Sequence, residues 1–523
     1  MVQQARIDTA ALDRLFDPFD RTNAPGFAVG VALRGVPGYR RGVGMASIEL
    51  PVALSPTIRM RIGSTSKHFC ALAVMLLAEQ GRLSIDDSPR RVLPELPGWA
   101  DGMTIRQLMA HTSGMRDGFD VMLHVAGPGM SAADDMLLRL QFGMDDVNFA
   151  PGTNWNYNNA GYVLLTEIVE RLSGETFADF LRDRILRPVG MNDTMLRPLD
   201  TDLVPNSATL HVPSPDGGWT RGVFGTPVTG MGGIVSTADD MLLWLKHMSS
   251  PVVGTAATWA EMRTPAGSHG YGLGLQMDEH RGLRTVHHAG GVVGGCSQML
   301  KVVDHELDLI LISNGRSGLD LFQMVDAVID ACITDLPARP VPPAGADADA
   351  ASGVFHSPGT GRVITLVEHE GRQAVDVGGM ILPTARNEDG SLSTEILKSD
   401  LRITPVRAAD ATVALEITEH GIADRLERVE PTADAAAGVQ TGAYENAGTG
   451  MTATLSIGPE AAMLLLHLAC EVGTMDYRLC PIGPNLWQGK ADSVLPLMPT
   501  LEFDADGFSM TTGRTNRFRF RKA

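Results

Sequence analysis

Ser64 and Lys67 stand three residues apart in "IGSTSKHFCALAVMLLAEQ" (Ile62 to Gln80), at the head of an apolar run that reads as a helix. Polar residues crowded at a helix entrance either cap it or do chemistry. A lysine three residues after a serine lies on the same helix face, one turn in, where its amine reaches the hydroxyl. A cation in the first turn opposes the helix dipole, so Lys67 has no local structural reason to be there. The same field favours its neutral form, a base able to activate a serine. Ser66 has no lysine three residues later, which leaves Ser64 as the candidate nucleophile.

Two further stretches carry polar groups suited to join them. Tyr157-Asn158-Asn159 lies in "FAPGTNWNYNNAGYVLLTEIVERLSG" (Phe149 to Gly174), a Gly- and Asn-rich loop before an apolar helix. Alone it reads as loop chemistry with a tyrosine anchor. His288-Ala289-Gly290 lies in "TVHHAGGVVGG" (Thr285 to Gly295), a strand that runs into glycines. Alone it reads as a histidine ahead of a bulge or a close backbone approach. The elements that must position these groups mix two periods. Phe69 to Gln80, Tyr162 to Leu172 and Asp239 to Met248 are apolar at helical spacing, and they alternate irregularly with β-rich runs such as Phe27 to Leu33 and Leu309 to Ile312. The first part of the chain is therefore expected to be mixed α/β.

At 523 residues the chain exceeds what one core serves, and two or three domains are expected. Hydrophobic residues at 44% and charged residues at 20% place it among globular proteins. A net charge of -18 argues against nucleic acid or an anionic membrane as partner. The N-terminal "MVQQARIDTAALDRLFD" lacks the apolar core of a secretory signal, and no run reaches membrane-spanning length, so a cytoplasmic location is expected. The five cysteines are widely spaced without a CxxC pair, which indicates neither a disulfide framework nor a zinc knuckle.

Prolines and then small residues displace the apolar periodicity in "DLPARPVPPAGADADAASG" (Asp335 to Gly353), as in a linker. Beyond it, alternating segments such as "RVITLVEH", "VALEITEH" and "MTATLSIG" read as antiparallel strands. "SGVFHSPGTGRVITL" from Ser352 matches "TGAYENAGTGMTATL" from Thr441, 89 positions on, which predicts two tandem β-modules of barrel size. The expected organisation is a catalytic domain over 1–336, a linker over 337–351, and β-barrels over 352–430 and 431–523.

Together, Ser64-x-x-Lys67, Tyr157-Asn158-Asn159 and His288-Ala289-Gly290, in this order and 93 and 131 residues apart, resemble the penicillin-recognising serine hydrolases. That serine β-lactamase-like group holds the β-lactamases, the DD-peptidases and their esterase and aminopeptidase relatives. "QLMAHTSGM" (Gln107 to Met115) and "GMGGIVSTADDMLLWL" (Gly230 to Leu245) extend the resemblance across the first domain. It implies that Ser64 forms an acyl-enzyme, that Lys67 and Tyr157 share the proton traffic, and that Asn159 holds Lys67 and a substrate carbonyl. The oxyanion hole would be the backbone N–H groups of Ser64 and Gly291, the latter just after the His-x-Gly triplet that ends in Gly290. No metal or cofactor is implied.

β-Lactamases and carboxypeptidases carry Lys-Thr-Gly where this chain has His288-Ala289-Gly290. A shorter, mostly neutral histidine weakens capture of a substrate carboxylate, so penicillins and D-Ala-D-Ala termini are poor candidates. The two β-modules resemble those of the D-aminopeptidase branch, which implies release of an N-terminal D-residue from a small peptide, amide or ester, and a homodimer. In that branch a loop of the last barrel holds the substrate ammonium with a carboxylate. The matching loop is expected in "YRLCPIGPNLWQGKAD" (Tyr477 to Asp492), with Asn485 near the place of the acid and Asp476 and Asp492 at the edges. A β-lactamase-like esterase is the alternative, and a catalytically silent peptide-binding protein is disfavoured because Ser64, Lys67, Tyr157 and Asn159 are all present.

Overall fold

The computed structural model describes residues 5–523 except 130–132, 134, 215, 268, 316–317, 335, 338–351, 395–400, 409–410, 420, 432–437, 460–462 and 494. The linker expected over 337–351 thus lies almost wholly outside the described residues. The chain divides into two compact units, one of 1–95, 100–111 and 161–339, the other of 96–99, 112–160 and 340–523.

Along the chain run helices α1 (Thr9–Phe16), α2 (Lys67–Glu79), α3 (Gly118–Ala126), α4 (Asn159–Ser173), α5 (Ala238–Ser249) and α6 (Gly318–Asp330). Strands β1 (Phe27–Leu33), β2 (Val36–Val43), β3 (Gln276–His280), β4 (Leu283–Val292), β5 (Gly295–Val302) and β6 (Leu307–Ser313) form one antiparallel sheet in the order β3-β4-β5-β6-β1-β2. The apolar run "FAVGVAL" becomes β1, whose two faces are both covered. Phe27, Val29 and Val31 join Leu12 and Phe16 of α1 and Val325, Val328 and Ile329 of α6 in one core cluster. The intervening Ala28, Gly30 and Ala32 are small, so α5 packs close on the other face: a Cβ on Gly30 would lie 3.0 Å from the Leu242 side chain. Central strands β1 and β6 are buried on both faces, which explains why their sequences read as continuous apolar runs rather than alternations. Side-chain caps begin α1, α3 and α5, where Asp8 accepts from the Ala11 N–H, Asp117 from the Phe119 and Asp120 N–H groups and Thr237 from the Asp240 N–H.

The second unit contains two closed eight-stranded antiparallel barrels. The first closes by pairing Gly353–His356 with Ile422–Val429, the second by pairing Gly442–Asn446 with Phe518–Lys522. The 89-residue repeat falls on the opening hairpins of the two barrels, as its alternation requires. Phe355 and its counterpart Tyr444 point inward and are buried, as are Ile364 and Leu366 against Ala453 and Leu455. Each such large apolar side chain contributes roughly 1.5–3 kcal/mol on burial. Val363 at the start of a first-barrel strand packs with Ile482 and Leu486 of the second barrel, joining the barrels through an apolar patch. The same unit takes in 112–160, so α3 and the loop before α4 belong with the barrels, where the Tyr477 hydroxyl donates to the His124 carbonyl at 2.7 Å. No helix of the described residues is long and apolar enough to cross a membrane.

Candidate active site

Gly63 to Ser66 form a 3-10 turn that leads into α2, and none of its hydroxyls caps the helix. Thr65 Oγ1 lies 3.2 Å from the His288 carbonyl and 3.0 Å from Ser297 Oγ, and Ser66 Oγ accepts from the Ile234 N–H at 3.1 Å. Both are buried, whereas Ser64 between them and Gly63 keeps partial exposure. The polar cluster therefore holds the turn against its neighbours and leaves one serine within reach of solvent.

Lys67 is wholly buried in the first turn of α2. Its Nζ donates to Ser64 Oγ at 3.2 Å and to the Met231 carbonyl at 2.7 Å, and it lies 5.2 Å from the centre of the Tyr162 ring. A buried amine is tolerated only with such partners. Met231 sits inside "GMGG", a stretch singled out by resemblance alone, and its carbonyl gives that stretch a physical role.

Two glycines bring the turn onto β4. Gly63 has φ +53°, and a Cβ there would lie 2.8 Å from the Gly291 nitrogen. A Cβ on Gly290 would lie 1.9 Å from the Ile62 carbonyl oxygen, so only glycine fits where the two backbones touch. Val292 faces Gly295 across the hairpin turn and Gly291 faces Cys296, so ladder alternation turns the Gly291 N–H away from β5. On that side the pairing of β3 with β4 stops at His287. Gly291 is exposed with open space beside its Cα. An N–H at an open strand edge beside the Ser64 turn is placed as a donor to a developing oxyanion would be.

His288 points the other way. It is 5% exposed, with Nδ1 2.6 Å from the Ala289 carbonyl and Nε2 2.8 Å from the Tyr271 hydroxyl. A carbonyl only accepts, so Nδ1 donates and Nε2 of the neutral ring accepts from Tyr271. Burial, reinforced by the Lys67 charge, pushes its pKa down to about 3. The ring is engaged by the protein at both nitrogens. His68 beside it is stacked against Phe69 and Trp244, and burial holds its pKa well below the ordinary value.

In the second unit, one carboxylate organises the Tyr157 segment. Asp117 is wholly buried and caps α3, its Oδ1 accepting from the Phe119 N–H at 3.1 Å and the Asp120 N–H at 3.4 Å. It also takes the Asn159 N–H at 2.9 Å on Oδ2 and the Ala160 N–H at 3.2 Å on Oδ1, at the entrance of α4. One side chain thus serves two helix N-termini and fixes the backbone directly after Tyr157. Asn158 adds a bond from Nδ2 to the Met115 carbonyl at 2.6 Å. Burial holds the Asp117 carboxyl above its usual range, against the pull of Arg514 and the two α4 N–H groups.

A loop of the last barrel does meet this segment, but it is 512–517, the turn between Gly507–Thr511 and Phe518–Lys522, and not the stretch around Asn485. Asn148 clamps it by donating from Nδ2 to the Arg514 carbonyl and accepting from the Asn516 N–H, both at 2.8 Å. Thr515 Oγ1 accepts from the Asp117 N–H at 3.1 Å, and Thr512 donates to Asp120. Arg514 lies over the Tyr157 ring, its Cζ 5.0 Å from the ring centre. Asn485 instead occupies an exposed tight turn at φ +56°, its carbonyl accepting from the Phe503 N–H, between Ile482 and Leu486 of the apolar patch that joins the barrels. Gly483 and Pro484 directly precede Asn485 at that turn. Of the expected edge residues, Asp476 pairs with His467 on the barrel's outer surface.

Four residues that no motif singles out for a role hold these groups: Met231, Tyr271, Asp117 and Arg514. Asp117 had a legible signal, an Asp directly before a helix start, and Met231 had its flanking glycines. Arg514 had none, because its role depends on a contact between residues far apart in sequence.

A Beta-lactamase family model matches residues 12–331. The chain is 26% identical over 520 residues to a D-aminopeptidase of Gluconobacter oxydans (strain 621H), covering 94% of each chain, and 26% identical over 522 residues to a D-aminopeptidase of Brucella ovis, covering 94% of this chain and 93% of the relative. Among solved structures it is similar to a penicillin binding protein from Bacillus halodurans, at a TM-score of 0.54 and 25% identity, over 61% of this chain and 98% of the other. With the family match covering more than half of its length, including the Ser64, Tyr157 and His288 stretches, the chain belongs to the β-lactamase family.

Proposed function

We propose that the chain is a serine hydrolase that releases N-terminal D-amino acids, such as D-Ala, from small peptides, amides and esters through an acyl-enzyme on Ser64. The observation that carries the hydrolase reading is the buried Lys67 amine 3.2 Å from the hydroxyl of a partly exposed Ser64. The relatives named D-aminopeptidase, aligned over both barrels as well as the catalytic region, support the substrate class.

In this reading neutral Lys67 takes the Ser64 proton as Oγ attacks the substrate carbonyl carbon. Charge develops on the carbonyl oxygen, which accepts from the N–H groups of Ser64 and Gly291. Tyr157, exchanging its proton with Lys67, protonates the leaving nitrogen as the scissile C–N bond breaks and leaves the acyl group on Ser64. Water then attacks the ester, giving its proton back through the same groups, and frees the D-amino acid and Ser64. Asn159 positions Lys67 and the substrate carbonyl. His288 acts through its bond to the Tyr271 hydroxyl rather than as a cation for a substrate carboxylate.

One observation favours the esterase alternative: the side chain that the last barrel brings to Tyr157 is the cation Arg514, where the D-aminopeptidase pattern implies an acid for the substrate ammonium. Steady-state rates with D-alanine p-nitroanilide, its L-isomer, its N-acetylated form and p-nitrophenyl acetate decide between them. Turnover confined to the free-amine D-substrate supports the aminopeptidase, and preference for the ester with no stereoselectivity supports the esterase.

A further inference from the structure

Arg514 is the feature of the Tyr157 segment that the proposed reaction does not yet use. Its guanidinium makes a cation–π contact with Tyr157 and faces Asp117 Oδ2 at 3.9 Å, which is an ion pair without a hydrogen bond. Among the described residues its side chain makes no hydrogen bond, so its five N–H donors are unspent, and the side chain is 36% exposed. The Asp117 charge is meanwhile answered by four backbone N–H groups. The loop that carries Arg514 is clamped by Asn148 and Thr515, which fixes the place of the cation over the ring.

The geometry points to Arg514 as a carboxylate-binding residue on the leaving-group side, selecting dipeptides whose free C-terminal carboxylate belongs to the residue released as the leaving amine. The inference rests on the proposed role of Tyr157 as the donor to the leaving nitrogen. In a dipeptide that nitrogen and the carboxylate carbon are two bonds apart, about 2.5 Å. A group that hands the nitrogen its proton therefore has the carboxylate within a few ångströms, and the Arg514 guanidinium lies over that group's ring. A planar guanidinium with in-plane donors free takes a carboxylate bidentately.

The test compares D-Ala-Gly with its C-terminal amide, using D-alanine p-nitroanilide as the reference in the wild-type chain, Arg514→Gln and Arg514→Lys. The wild type is expected to prefer the free acid by about tenfold or more in kcat/KM, through KM, as a charge-assisted hydrogen bond allows. Arg514→Gln brings that ratio near one, and Arg514→Lys keeps part of it. Equal handling of acid and amide by the wild type, or an unchanged ratio in Arg514→Gln, overturns the subsite. So does a loss in Arg514→Gln that falls equally on all three substrates, since that is a structural effect on Tyr157. Hydrolysis of the anilide with any of these results leaves the aminopeptidase reading standing, while absence of anilide turnover in the wild type overturns both.

Discussion

Asp117→Asn probes the buried carboxylate that serves two helices and the Tyr157 segment. The asparagine Oδ1 can keep the Phe119, Asp120 and Ala160 N–H groups, but its Nδ2 then faces the Asn159 N–H, donor against donor, where Oδ2 accepted at 2.9 Å. Leaving that buried N–H unpaired costs about 1–3 kcal/mol. Loss of the charge at two helix N-termini adds about 0.3–1 kcal/mol for each. Replacing a carboxylate that burial already disfavours offsets part of this, so a net loss near ~2 kcal/mol is expected. Asp117→Ala leaves all four N–H groups without their acceptor and removes two caps, for about 3–5 kcal/mol. Because the freed backbone directly follows Tyr157, kcat of Asp117→Asn should fall by about 100-fold with KM little changed, as a shift of about 1 Å in a catalytic group produces. Urea unfolding and steady-state hydrolysis of D-alanine p-nitroanilide measure the two effects on the same preparations. Wild-type kcat in Asp117→Asn, or a rate loss that only tracks the unfolded fraction, would refute the positioning role.

Ser64→Ala and Lys67→Ala should each abolish turnover, and the double variant should be no worse, because nucleophile and base act as one unit; their kcat values on one ester substrate check this. Tyr157→Phe should lower kcat by several orders of magnitude while leaving the urea midpoint within error, the contact with Arg514 being to the ring. His288 titrates at about 6.5 when unfolded and about 3 when folded, so the native state resists a proton that the unfolded chain accepts. Its effect on stability is absent above about pH 6.5 and grows as pH falls toward about 3. His288→Gln should therefore narrow the fall in unfolding free energy between pH 7 and 5, and an identical fall would contradict the assignment. His288→Lys would bury a second amine in a place where burial already disfavours charge, so it should lose stability rather than gain penicillin acylation, which thermal unfolding and benzylpenicillin labelling report. Deleting Ile482 to Gln488 removes apolar contacts with Val363 and should lower the unfolding midpoint without broadening substrate choice.

The parts of this molecule legible in its sequence are those set by local period. "FAVGVAL" and the apolar runs after Ser64 and Tyr162 form the strand and helices expected of them, and the match of Ser352 with Thr441 announced two barrels that begin alike. The family was legible because Ser64, Lys67, Tyr157 and His288 keep their spacing. What sequence hid is what depends on long-range packing. Asn485 and Arg514 both lie in polar turns between strands of the same barrel, and nothing in their neighbours says which turn meets Tyr157 and which packs on the first barrel. His288 was legible only through its place in the His-x-Gly triplet, and the partners of its ring follow from packing. Tyr271 and the Ala289 carbonyl claim both of its nitrogens.

The most direct test is intact-mass analysis of the chain quenched during turnover of D-alanine p-nitrophenyl ester, alongside its L-isomer and N-acetyl-D-alanine p-nitrophenyl ester. A D-alanyl adduct on the wild type that maps to the Ser64 peptide is expected, together with none on Ser64→Ala and little from the L- or N-acetylated esters. An adduct that persists in Ser64→Ala would contradict the nucleophile, and equal labelling by all three esters would contradict a site built for a D-residue with a free amine.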